Sequence, residues 1–159
     1  MATAIIIGYG NPDRQDDGAA WHVLAGIAKR LGRNVPHWTE EVFDPEGANP
    51  DLYFNLQLTP ELADTISSYQ RVCFVDAHTG SVPHDLNVTP LQPLFQSSPF
   101  THHMTPETCL TLADTIYHAR PESLLVSVRG YQFGFSHDLS EKTQTLVEQA
   151  VETILTWLG

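Results

Sequence analysis

The chain has 159 residues, 42% hydrophobic and 17% charged, ordinary composition for a globular domain of about that length. Eight Lys and Arg stand against 19 Asp and Glu, a formal net charge of -11, and such a balance repels phosphate backbones and anionic membranes. Nucleic acid and membrane are therefore set aside as partners. No stretch approaches the ~20 apolar residues of a membrane span, and the first residues enter an apolar run without a basic leader. Residues 1–159 read as one cytoplasmic domain. The two cysteines, Cys73 and Cys109, lack metal-ligand spacing and read as small buried hydrophobes.

Ala4 to Gly8 is a β-branched run ending in glycine, the pattern of a strand buried on both faces. Apolar residues at helical spacing from Ala20 to Leu31, with Gly32 as a stop, predict a helix over roughly Asp17 to Leu31. His37 to Phe43 reads as a short strand, after which Pro45, Gly47, Asn49 and Pro50 break regular structure. Thr59-Pro60-Glu61 announces a second helix through about Tyr69. Arg71 to Val75 repeats the buried-strand pattern and delivers Asp76 at its carboxyl end. Four prolines between Pro83 and Pro99 leave room only for an edge strand around Leu86 to Leu91. Thr105-Pro106-Glu107 starts a third helix to about Ala119, Ser123 to Val128 is another strand, and Ser140 caps a final amphipathic helix. Alternating strands and helices predict a three-layer α/β/α sandwich on a mostly parallel twisted sheet of about five strands. Such folds bind ligands beyond the carboxyl ends of the strands.

Three loops fall at that edge. The first, Gly8-Tyr9-Gly10-Asn11-Pro12 through Asp16-Asp17-Gly18, lacks the Walker lysine and the third glycine of a dinucleotide fingerprint, and places two carboxylates where a phosphate would arrive. One of the pair is expected to cap the first helix, and assigning that to Asp16 makes Asp16→Asn a mild change. Asp17 is then left for another role. The second loop follows Asp76; the third holds His102 and His103, in tandem ahead of the third helix. Asp17, Asp76 and either His102 or His103 would form an oxygen/nitrogen site suited to nickel, zinc or a similar ion with a coordination position open. His78, two residues past Asp76, could also face this site, although a solvated loop residue is the better reading.

In this order along nearly the whole chain, Gly8-Tyr9-Gly10-Asn11-Pro12, Asp16-Asp17-Gly18, Val75-Asp76-Ala77 and Thr101-His102, with Gln132-Phe133-Gly134 and Leu139-Ser140 behind them, resemble the hydrogenase maturation proteases. The resemblance implies an endopeptidase that removes the C-terminal extension of a nickel-iron hydrogenase large-subunit precursor once nickel is installed. It puts the metal-binding residues at Asp17, Asp76 and His102, with His103 as the alternative ligand and Gly10, Asn11 and Asp16 in the substrate-facing loop. It implies nickel presented by the precursor, with zinc or another divalent ion as a surrogate. The sequence shows no Ser-His-Asp order, no HExxH helix and no cysteine nucleophile, so the attacking group stays open. Two rivals remain: a small-substrate metal-dependent hydrolase or aminopeptidase with its own zinc, and a non-catalytic nickel carrier or assembly chaperone.

Overall fold

The structure is a computed structural model that describes residues 3–37, 47–94 and 104–159. Among these residues five strands form one sheet: β1 (Ala4–Tyr9), β2 (Asp51–Asn55), β3 (Arg71–His78), β4 (Leu86–Leu91) and β5 (Glu122–Arg129), in the order β2-β1-β3-β5-β4. All neighbours run parallel except β4, which pairs antiparallel with β5. Pro90 lies in β4, an edge strand, where a missing backbone donor is tolerated.

Alternate residues of the central strands face opposite ways, and both faces are covered. Ile6, Cys73, Val75, Val126 and Val128 pack against α1 (Ala19–Arg30) and α4 (Glu141–Leu158). Ile5, Ile7, Val72 and Phe74 pack against α2 (Leu62–Ile66) and α3 (Pro106–Tyr117). The result is the expected three-layer sandwich. Both cysteines are fully buried in it, Cys73 against the first helix pair and Cys109 against the second; burial pushes the Cys109 thiol up to about 12, so it is not a poised nucleophile.

Helix starts follow the cap chemistry. The Thr105 and Ser140 side chains accept from the amides of Thr108 and Thr143, closing the first turns of α3 and α4. α1 ends at Gly32, whose φ of +71° suits a residue without Cβ, and α3 ends at His118 in the left-handed region. α2 is shorter than the expected 59–69 because tight turns flank it: Leu62 bonds back to Thr59 and Ala63 to Pro60, while Ser68 bonds to Thr65 and Tyr69 to Ile66.

One strand lies where the sequence predicts none. Most of the expected strand from His37 to Phe43 lies outside the described residues, and His37 itself is irregular. β2 is Asp51–Asn55, pairing Ile5 with Asp51 through Tyr9 with Asn55. This segment begins immediately after Pro50 and is bounded by Asp and Asn, residue types depleted in strands, so its identity comes from pairing with β1 rather than from propensity. The third strand is also longer than expected: β3 continues to His78, which sets Asp76 inside the ladder, opposite Ser127 of β5, rather than in a loop beyond it.

Candidate functional site

The chain leaves β1 at Tyr9 and turns at Gly10, whose amide donates to the Asn55 carbonyl at the end of β2. Gly10 has φ +140°, and a Cβ there would lie 2.2 Å from the carbonyl oxygen of Asp17. The glycine is therefore required by the close return of the loop on itself. Asn11 completes the return: its amide donates to Asp17 Oδ2 at 3.0 Å, and its side-chain oxygen accepts from the amide of Asp13. Asp17 is half-buried, with one oxygen held by this backbone amide; among the described residues no second donor takes the other. A carboxylate fixed at one oxygen and available at the other can ligate a cation.

Asp16 does something different from the expected capping of the first helix. No side chain caps α1 or the 3-10 turn at Gln15–Gly18 that leads into it. The Asp16 carboxylate is fully buried and accepts from the amides of Tyr131 (2.8 Å), Gln132 (2.9 Å) and Ser140 (2.8 Å) and from the Ser140 hydroxyl (2.6 Å), with the Thr143 hydroxyl at 2.9 Å. It thus anchors the N-terminal end of α4 and the loop after β5. Burial works against the charge, but the hydrogen bonds from Ser140, Tyr131 and Gln132 win and hold the carboxyl below its ordinary value. The backbone reinforces the clasp: Asp16 donates to Gln132, Gln15 donates to Ser136, and Ser136 donates to Asp13.

Asp76 sits on the next strand. Its Oδ2 accepts from the Tyr9 hydroxyl at 2.7 Å, and its Oδ1 accepts from the Ser127 hydroxyl. Burial raises its carboxyl, against the opposing pull of the two hydroxyls, and Glu107 in the first turn of α3 adds repulsion. The phenol of Tyr9 is pushed far above its usual range by burial and by Asp76, which keeps it a donor. Tyr9, Ser127 and Glu107 were not among the sequence candidates; only Ser127 carried a signal, as a polar residue inside the apolar run Leu124-Leu125-Val126-Ser127-Val128.

His78 is buried rather than solvated. Its Nδ1 accepts from the Gly80 amide, so its Nε2 donates to the Asp85 carbonyl, and the ring is used up in shaping the turn after β3. His102 and His103 lie outside the described residues. Among the described residues no three His, Cys, Asp or Glu side chains gather into a metal-holding group. Those residues place two carboxylates at the carboxyl edge, Asp17 on the loop after β1 and Asp76 on the neighbouring β3.

No family model matches the chain, and no curated protein matches its sequence. Solved structures match its fold along nearly the whole length. The [NiFe] hydrogenase maturation protease HycI from Thermococcus kodakarensis superposes with a TM-score of 0.65 at 17% identity, covering 99% of this chain and 92% of its own. The hydrogenase maturating endopeptidase HybD from E. coli gives 0.61 at 17% identity, with the same coverages of 99% and 92%. A hydrogenase 2 maturation peptidase from a Thaumarchaeota archaeon gives 0.62 at 20%, covering 98% and 97%. The α/β architecture here is the one those proteases have.

Opposite electrostatics at the two aspartates give opposite expectations. Asp16 has a lowered carboxyl, so its contribution to stability is complete above the unfolded value near ~4 and is lost as pH falls through the lower folded value. Asp16→Asn turns an amide toward buried donors and should lower the unfolding free energy at pH 7 by about 3 kcal/mol, removing that acid step, as read by urea denaturation across pH. This replaces the mild effect expected from sequence. Asp76 has a raised carboxyl, so its contribution is complete below the unfolded value and lost as pH rises through the folded one. Asp76→Asn should therefore melt at or above the wild-type temperature at pH 7, with the difference closing toward pH 4 in calorimetry.

Proposed function

We propose that this chain is an endopeptidase that removes the C-terminal extension of a nickel-iron hydrogenase large-subunit precursor after nickel insertion, and that it recognises the nickel bound in that precursor. One observation carries the reading: a fold shared with solved hydrogenase maturation proteases has Asp17 on the loop after β1 and Asp76 on the adjoining β3, at the edge where such sheets bind ligands. Asp17 and Asp76, with His102 as third donor, are the proposed ligands, and His103 is the alternative. Two carboxylates and an imidazole suit nickel, and zinc or another divalent ion would serve as a surrogate.

On this reading the nickel is part of the substrate. Asp17 keeps one oxygen for it while the Asn11 amide holds the other, and Tyr9 and Ser127 hold the carboxylate of Asp76 in one orientation. Contact with the ion fixes the scissile peptide beside it. A metal so placed polarises a carbonyl or activates water.

The test is incubation with nickel-loaded and nickel-free precursor, followed by mass analysis of the large subunit. Shortening of the loaded precursor alone is expected, and chelation of the protease before mixing should leave it competent. Asp17→Ala, Asp76→Ala and His102→Ala should each reduce cleavage at least a hundredfold with an unchanged circular dichroism spectrum, while His103→Ala retains most activity. A protein that copurifies with stoichiometric zinc and cuts nickel-free precursor would be the metallohydrolase rival; one that binds the precursor and leaves its length unchanged would be the carrier.

A further inference from the structure

The loop after β5 holds two phenylalanines with opposite fates. Phe133 turns inward, so close over Gly130 that a Cβ on that glycine would lie 2.7 Å from its ring. Phe135, two residues on, is 97% exposed. Both neighbours of Phe135 are fastened to the first loop: the Gly134 amide donates to Gln15 Oε1 at 3.1 Å, and Ser136 donates to the Asp13 carbonyl and accepts from the Gln15 amide. Gln15, which makes these contacts, is a non-glycine residue at φ +52°, an uncommon conformation maintained where surrounding contacts impose it. Its side-chain amide also donates to Gln132 Oε1.

The ring is thus presented by a turn fastened to Gln15, two residues along the chain from Asp17, and it gains nothing from exposure in the free protein. On the other side of the same loop, Leu56 is 62% exposed immediately after Asn55, whose carbonyl receives the Gly10 amide. Apolar side chains therefore stand beside the Asp17 loop at both of its fastenings to the rest of the fold. Preorganised aromatic anchors lose little conformational freedom when a partner covers them, and such residues concentrate binding energy.

We infer that Phe135 is a substrate-anchoring residue: its ring inserts into an apolar depression on the protein substrate beside the cleavage site, with Leu56 as a lesser contact across the loop. The inference rests on the proposed endopeptidase reading and adds to it the surface by which the enzyme grips a folded protein. Because the Phe135 ring is almost wholly exposed, its removal leaves the fold intact.

The experiment measures cleavage kinetics of the full-length chain on nickel-loaded precursor, alongside binding of the same precursor to an immobilised protease. Phe135→Ala should raise KM and Kd on the order of tenfold to a hundredfold, the worth of one buried aromatic side chain, with kcat within twofold of wild type and an unchanged melting temperature. Phe135→Leu should restore most of the loss, and Leu56→Ala should cost less than Phe135→Ala. An unchanged KM in Phe135→Ala overturns the inference while leaving the endopeptidase reading standing, as does a fall in kcat at constant KM. Self-association of the wild type that Phe135→Ala abolishes, with KM unmoved, would reassign the ring to a contact between copies. A wild-type protein that neither binds nor cuts the precursor would overturn both readings.

Discussion

The buried carboxylate of Asp16 is the point at which the carboxyl edge of the sheet is tied together. A single anion collects amides from Tyr131, Gln132 and Ser140 and a hydroxyl from Ser140, groups more than a hundred residues away along the chain. A buried charge is tolerated only when its lone pairs are filled, and here filling them brings the first loop, the loop after β5 and the start of α4 into one unit. The residues on either side of Asp16 inherit that order. Asp17 follows Asp16 in sequence and is placed by the same turn; Gln15 precedes it and fastens Gly134 and Ser136. Gly130 leaves the room this needs, since a Cβ there would come within 2.9 Å of Asp16 Cβ.

Asp76 shows the reverse arrangement within the same edge. Asp16 is surrounded by donors that stabilise its charge; Asp76 has two hydroxyls against burial and the repulsion of Glu107, and burial prevails. One carboxylate is held as an anion by its donors; the other sits where burial disfavours its charge. On the proposed reading a carboxyl in that setting suits a metal ligand, because a bound cation would favour the deprotonated carboxylate and offset the desolvation that burial imposes. The distinction between the two aspartates is made by partners that only the folded chain supplies.

How much of this could be read from residues follows the range of the interactions involved. Strands β1 and β4 and the caps Thr105 and Ser140 were legible because apolar runs, proline at an edge and Ser or Thr before a helix act over a few residues. β2 was not, since Asp51–Asn55 is a strand chiefly by virtue of lying beside β1. The first loop is recognisable as the link between a strand and a helix, yet the sequence assigns Asp16 to the wrong helix: its position ahead of α1 suggests a local cap, whereas its partners are contributed by the loop after β5 and by α4. Tyr9 and Ser127 escaped for a related reason. Which residues flank Asp76 depends on the parallel register of β1, β3 and β5, and register between strands joined by long crossovers leaves no mark in any single segment.

On the proposed reading, the same asymmetry would make this edge respond to a loaded partner more than to free metal. Burial disfavours the charge on Asp76, and a cation bound beside it would offset that cost. Asp17 on the loop after β1 and Asp76 on β3 would supply a fixed, incomplete coordination set, a weak trap for a hydrated ion free in solution. An ion already held by a protein substrate brings the remaining donors with it and binds without the full entropic loss of capturing free metal. Its bonds to Asp17 and Asp76 then add to whatever apolar contact the same partner makes, for example at Phe135. Neither contribution need be large alone, because joining them on one rigid edge makes the second contact intramolecular once the first has formed. On the proposed reading, a precursor without nickel would offer only the apolar contact and would leave Asp76 unrelieved. Discrimination between finished and unfinished substrate would then arise from the difference in coordination bonds rather than from any movement of the protease.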